Sequence, residues 1–161
     1  MSEPRRDRPH MPGYGIKPEP DGLQSWDRFQ DRATGSRNYW VATVGDDGRP
    51  HVMPVWGLWL EGLVYFSTDP SSRKGRNLRS RPEVVVHLES GDDVVIVEGV
   101  AEPVTDPAAV ARFVEAYEAK YRFRPDPGNP AHGVYAVRPR RAFSWLEQDY
   151  PSTATRWRWE G

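Results

Sequence analysis

The chain has no cysteine, which excludes disulfides, thiolate metal sites and a cysteine nucleophile. Its four histidines, at 10, 51, 87 and 132, are scattered without metal-ligand spacing, which argues against a structural zinc. Lysine is scarce: of 22 basic residues, only Lys17, Lys74 and Lys120 are not arginine. No apolar run approaches the length of a membrane span, and mean hydropathy is −0.76. The Arg- and Pro-rich start lacks the apolar centre of a signal peptide, so the expected compartment is the cytoplasm. A net charge of −1 argues against a general nucleic-acid binder. No strand–nucleophile–helix motif supports a Ser-His-Asp set. The pairs Asp46-Asp47 and Asp92-Asp93 fall in predicted turns and read as solvated turn formers. At 161 residues the chain fits one domain with a core of its own. Its lack of local catalytic groups fits an enzyme whose cofactor carries the hard step.

Residues 1–22 hold five prolines and little apolar content, and read as an extended arm. Leu23, Trp26 and Phe29 then recur at helical spacing, predicting a short amphipathic helix to about Ala33. From Tyr39 the period becomes two, with Trp40, Ala42 and Val44 on one face, and Gly45-Asp46-Asp47-Gly48 marks a hairpin. The next strand, Arg49 to Leu60, is apolar on both faces, so core is expected on one side and a partner on the other. Pro54 within it lacks an N–H and predicts a bulge or an edge. Glu61-Gly62 turns into Leu63–Ser67, and further strands are expected over 83–88, 94–104, 134–137 and 142–146. Thr105-Asp106-Pro107 caps a helix whose stripe is Val110, Phe113, Val114, Tyr117 and Tyr121. The sum is a mainly β (α+β) domain: a small antiparallel barrel of about six strands with two or three helices.

The richest stretch is Tyr65 to Leu78, YFSTDPSSRKGRNL. A strand end with adjacent hydroxyls runs into an Arg-Lys pair on a helical first turn. Free N–H groups and the positive helix end then face an anion. Arginine offers a planar fork and lysine a point charge to phosphate oxygens. A solvated basic helix face is the other reading of the same residues. The order YFST, SRK, NL, RPEVVVHL resembles the phosphate-clasping turn of the pyridoxamine 5'-phosphate oxidase-like family, the FMN-binding split barrels and their deazaflavin-using relatives. The similarity continues through YWVATVGDDGRPHVMPVWGLW and VVIVEGVAEPV, over roughly residues 37–147.

The resemblance implies a six-stranded split β-barrel over residues 23–147, a homodimer, and a flavin-type ring at the dimer interface. Carried over residue by residue, Ser67, Thr68, Ser72, Arg73 and Lys74 become phosphate ligands, with Asn77 a further polar contact. Val52, Met53, Pro54, Val55 and Trp56 become the strand beside the ring. The implied cofactor is FMN or the deazaflavin coenzyme F-420, and the implied activity is reduction of a small organic substrate, with no nucleic-acid or membrane partner. A non-catalytic binder of flavin, haem or a tetrapyrrole on the same barrel is the alternative. Two departures argue against vitamin B6 oxidation. Asp93 and Val94 stand where the family's oxidases carry an Arg-Gln pair, and the tail over 148–161 has no Arg-x-His clamp. In that tail Arg156, Trp157, Arg158 and Trp159 alternate, so arginines and tryptophans face opposite ways. The tail either docks on a barrel or shapes a substrate pocket with Arg156 and Trp157.

Overall fold

Alternating burial sets the sheet. In β2 (Asn38–Val44), Tyr39, Val41 and Thr43 are buried, while Trp40, Ala42 and Val44 lie half-covered on the other face. The computed structural model describes residues 3–160. Among these, eight strands form one antiparallel sheet: β1 (Arg5–Asp7), β2, β3 (Pro50–Leu60), β4 (Leu63–Thr68), β5 (Glu83–His87), β6 (Asp93–Pro103), β7 (Gly133–Leu146) and β8 (Thr155–Arg158). Their order is β1-β8-β7-β4-β3-β2-β5-β6, and β7 also pairs with β6. Six strands therefore close into a barrel, and β8 and β1 extend it along β7. Four α-helices accompany them: α1 (Trp26–Gly35), α2 (Arg73–Ser80), α3 (Pro107–Tyr121) and the short α4 (Tyr150–Thr153). Among the described residues no helix is long and apolar enough to cross a membrane.

The β3–β4 turn places Glu61 and Gly62 at φ 53° and 79°, as a tight hairpin turn with positive φ at both central positions requires. Strand β7 runs unbroken where two strands are expected. Pro139 sits opposite Gly99 at a register shift between Glu98 and Gly99, so the missing N–H falls where the ladder is already irregular. Gly99 has to be glycine there, since a Cβ would lie 2.3 Å from the Arg138 carbonyl oxygen.

The core has two parts. Inside the barrel, Tyr39, Val41, Val64, Phe66, Val86 and Val97 meet Phe29 of α1 and Trp157 of β8. Outside it, Leu58 and Tyr65 pack under Phe113, Val114, Tyr117 and Tyr121 of α3. Helix α3 thus covers the second face of the C-terminal half of β3, where a partner is expected from sequence. Asp106 caps α3, accepting from the backbone N–H groups of Ala108 and Ala109, and Pro107 opens it.

The two chain ends clasp each other. Strand β1 lies against β8, and Asp7 accepts from Arg156 at 2.8 and 3.0 Å and from Arg158 at 2.5 Å. Arg8 reaches the carbonyls of Glu19, Asp21, Ser152 and Ala154. Hydrogen bonds from Arg156, opposed in part by burial, hold the Asp7 carboxyl below its usual range. A lowered folded-state value stabilises above the unfolded pKa and is lost as pH falls through the folded one. Asp7→Asn is expected to cost about 1 kcal/mol at pH 7, or roughly 2–4 °C in thermal unfolding, with the gap to the parent closing as pH falls through the lowered folded-state value.

Candidate functional site

The site forms where the barrel splits. Strand β3 pairs with β2 along its whole first part, from Pro50↔Val44 to Trp56↔Asn38. It pairs with β4 only over Gly57–Leu60. Beyond Gly57↔Phe66 the two strands part, so residues 50–56 of β3 form a free edge. Pro54 lies on that edge, where its missing N–H costs no ladder bond on the open side. Val52 and Met53 are 47% and 49% exposed there, high for such side chains.

Across the split, β4 ends in Ser67 and Thr68, both half-buried, and leads into α2. Ser72 caps α2, its Oγ accepting from the Gly75 N–H at 3.1 Å, and lies 3.4 Å from Thr68 Oγ1. Asp69 is folded back onto Ser71, whose N–H and hydroxyl both donate to it at 2.7 Å. Those bonds hold its carboxyl below the usual range, so the acid shapes the turn. Asn77 is buried, and its amide donates to Thr43 Oγ1 at 3.0 Å, pinning α2 to β2. Sequence reasoning gives Asn77 a ligand contact; the structure shows one of its amide N–H groups in this structural bond.

Lys74 decides what the turn can hold. It is only 8% exposed, stands 5.9 Å over the Phe66 ring, and has no hydrogen-bond or ion-pair partner among the described residues. Desolvation pulls its ammonium below the ordinary lysine range. Its stem is buried while the ammonium tip keeps access to solvent, so the charge is partly desolvated and open to an arriving anion. Arg73 is exposed at the same turn. Arg49, Arg73, Arg76 and Arg79 also border a hollow of about 590 Å³ between the β2–β3 turn and α2. Ser67, Thr68, Ser72, Arg73 and Lys74 are thus gathered at one turn beside the free edge. Their donors and charges fit a phosphate.

The remaining expected residues divide. Val52, Met53, Pro54 and Val55 border the split, with Val55 packed on the barrel core. Trp56 stands at the end of the free edge, 37% exposed, where it stacks on Tyr121 at 4.9 Å and 2° and the Arg37 guanidinium lies 5.1 Å from its ring. Arg156 and Trp157 do not line the split. Trp157 is fully buried, with its indole N–H donating to Ser144, and Arg156 is bound to Asp7. The docking alternative is the one the structure shows for this tail.

Sequence reasoning missed the group that shapes the split. The Tyr121 hydroxyl lies 2.7 Å from the carbonyls of Arg37 and Gly57 and accepts from the Gly57 N–H at 3.0 Å. Lys120 donates to Thr34 O, Gly57 O and the Tyr39 hydroxyl. Burial lowers the Lys120 pKa to about 8 and pushes the Tyr121 phenol up to about 12. Both read as ordinary helix residues until the fold brings α3 against β3.

The pyridoxamine 5'-phosphate oxidase family model matches residues 26–146. The chain belongs to that family. A pyridoxine/pyridoxamine 5'-phosphate oxidase of Myxococcus xanthus strain DK1622 is 42% identical over 77 residues, 45% of this chain and 37% of the relative. The chain thus matches well under half the length of that relative. The crystal structure of conserved hypothetical protein Rv2991 from Mycobacterium tuberculosis superposes with a TM-score of 0.69 at 30% identity, covering 78% of this chain and 87% of the other. A structure named F-420 reductase shares the fold, with a TM-score of 0.56 at 23% identity over 74% of this chain and 96% of its own.

Gly75 tests the turn's packing. A Cβ there would lie 2.5 Å from the Pro70 carbonyl oxygen and 2.6 Å from that of Asp69, both backbone atoms. Gly75→Ala is expected to cost about 1–3 kcal/mol. Gly91→Ala, with nothing within 4 Å of its Cβ, should leave thermal unfolding unchanged in the same assay.

Proposed function

We propose that this family member is an oxidoreductase that holds FMN or the deazaflavin coenzyme F-420 along the split and serves hydride transfer to a small organic substrate. The observation that carries this reading is Lys74: a nearly buried lysine whose ammonium has no partner among the described residues, on the first turn of α2, beside an unpaired strand edge. Such a ring supplies two-electron hydride chemistry when bound. The chain's own part is binding and alignment. Lys74, Arg73 and the hydroxyls of Ser72 and Thr68 take the phosphate. The free backbone groups of 52–55 read a polar ring edge, and Val52 and Met53 offer apolar contact. Trp56, fixed between Tyr121 and Arg37, is a rigid end wall. Holding donor and acceptor in contact in a dry groove is then the main source of rate.

Vitamin B6 oxidation is not part of the proposal. Asp93 accepts from Arg28 at 2.7 Å and stands 3.0 Å from Arg32, so the position is given to docking α1 on β6. The test is titration of the purified chain with FMN and with coenzyme F-420, read by absorbance and calorimetry. One of them is expected to bind near one per chain, and the reduced form to be reoxidised by an added organic acceptor. Arg73→Ala with Lys74→Ala should weaken binding roughly ten- to a hundredfold per contact removed. Parental affinity in the double variant would return the turn to a solvated helix face. Binding with no turnover on any acceptor would favour the non-catalytic reading.

We also propose a homodimer. The outer face of the sheet carries Trp40, Ala42, Pro54, Val52, Val85 and His87 in adjacent registers, Trp40 opposite both Pro54 and His87, and Ala42 opposite both Val52 and Val85. A cleft of about 670 Å³ continues this face toward Trp159. A symmetric partner covers such a patch with a copy of itself. Light scattering should give twice the 18.4 kDa chain mass, and a stable monomer that still binds cofactor would overturn the dimer alone.

A further inference from the structure

The phosphate turn has a neighbour that the cofactor reading does not use. His51 lies on β3 directly opposite Thr43 of β2, so the two side chains share a face of the sheet. Thr43 is the residue that Asn77 of α2 binds. That face is therefore the one α2 sits on, and the imidazole is placed beside the helix turn that carries Arg73 and Lys74. Its Nδ1 is shielded from solvent and has no hydrogen-bond partner among the described residues. Resting on the phosphate reading of this turn, we propose that His51 is a proton-linked member of the anion site: it takes up a proton as the phosphate group docks and adds its charge to those of Arg73 and Lys74.

The charges around the ring support this. Desolvation first, then repulsion from Arg73 and Lys74, holds the imidazole below its ordinary 6.5, so at pH 7 it is neutral without an anion. On β2 its opposite residue, Thr43, is uncharged. On its own hairpin Arg49 and Asp47 pair with each other at 3.4 Å. On α2 the facing groups are Arg73, Lys74 and the neutral Asn77. An arriving phosphate reverses the sign of the local field and favours the imidazolium. Linkage then requires that lowering pH from 9 toward 7 tightens binding, and that binding at pH 7 consumes protons. A phosphate monoester loses its own second proton near pH 6, so it is mostly dianionic throughout this window.

The experiment is calorimetry at pH 7 with FMN and with coenzyme F-420, each in two buffers of different ionisation enthalpy. With whichever binds, the parent is expected to take up a large fraction of one proton. His51→Gln should take up none, while Lys74→Arg, which cannot titrate, should keep the uptake. Affinity should fall about tenfold from pH 7 to 9 in the parent and stay flat in His51→Gln, with His51→Asn as a second neutral replacement should the glutamine chain not fold. Riboflavin, which lacks the phosphate, should bind without uptake. Cofactor binding without proton uptake, or uptake that persists in His51→Gln, overturns the role of His51 and leaves the cofactor reading intact. Failure of both cofactors to bind overturns both.

Discussion

Strand β3 is longer than the strand that covers it, and the site follows from how that mismatch is held at Gly57. Before Gly57 the strand has β2 on one side and open space on the other; after it, β4 closes the open side. The chain has to satisfy the backbone polar groups at this junction, because it lies buried under α3. Tyr121 does so with one hydroxyl that accepts from Gly57 N–H and lies within bonding distance of two carbonyls. The hydroxyl has a single proton, so it serves one carbonyl at a time, and Lys120 gives the Gly57 carbonyl a second donor. Glycine is needed here because a Cβ would meet the Tyr65 carbonyl at 2.9 Å and the Tyr39 ring at 3.1 Å. The same Tyr121 ring then stacks on Trp56, so the peg that holds the split also builds its end wall.

Most of the β-meander is legible in the sequence because its signals are local. Period-two alternation from Tyr39, the Asp47-Gly48 and Glu61-Gly62 turns and the Asp106-Pro107 cap each need only a few neighbouring residues. The site is half legible for the same reason: Ser72, Arg73 and Lys74 are consecutive, and a family resemblance covers them. What local reading misses is what long-range packing decides. The two apolar faces of β3 invite a single explanation by dimerisation. In the fold one half of that strand is covered by α3 and the other half is left bare. Trp56 and Met53, 37% and 49% exposed, both lie on the bare side, and burial begins only at Gly57. Pro139 misleads in a related way: a proline within a strand pattern argues for a break, unless the partner strand carries a bulge at that register.

The chain ends show the same limit from composition. An arm with five prolines and a tail of alternating Arg and Trp each lack a core pattern of their own. Together they form one unit, with β1 against β8 and Asp7 facing two arginines. The alternation of the tail is put to use: Trp157 and Trp159 turn to Trp26 of α1, at 5.3 and 5.8 Å, while Arg156 and Arg158 turn to Asp7. Aromatic pairs in such clusters add about 0.5–1.5 kcal/mol each beyond their buried area. The tail is thereby part of the barrel's closure. A residue whose indole is fully enclosed by the core has no surface left to offer a substrate.

Family membership and the departure at Asp93 are compatible because they rest on different parts of the barrel. The features shared with the family are the meander, the split and the turn at α2, and in the proposed function these are what hold a phosphate and a flat ring. Around that place the chain departs from the pattern of the family's oxidases. At Asp93 an acid that faces Arg28 and Arg32 ties α1 to β6. Reversing that charge for arginine would put three cations together and release the helix that supports Trp26 and Phe29. Position 93, where the resemblance places an Arg-Gln pair in the family's oxidases, is thus a packing position in this chain. Arginine cannot be restored there by one substitution without loosening the core that Trp157 completes.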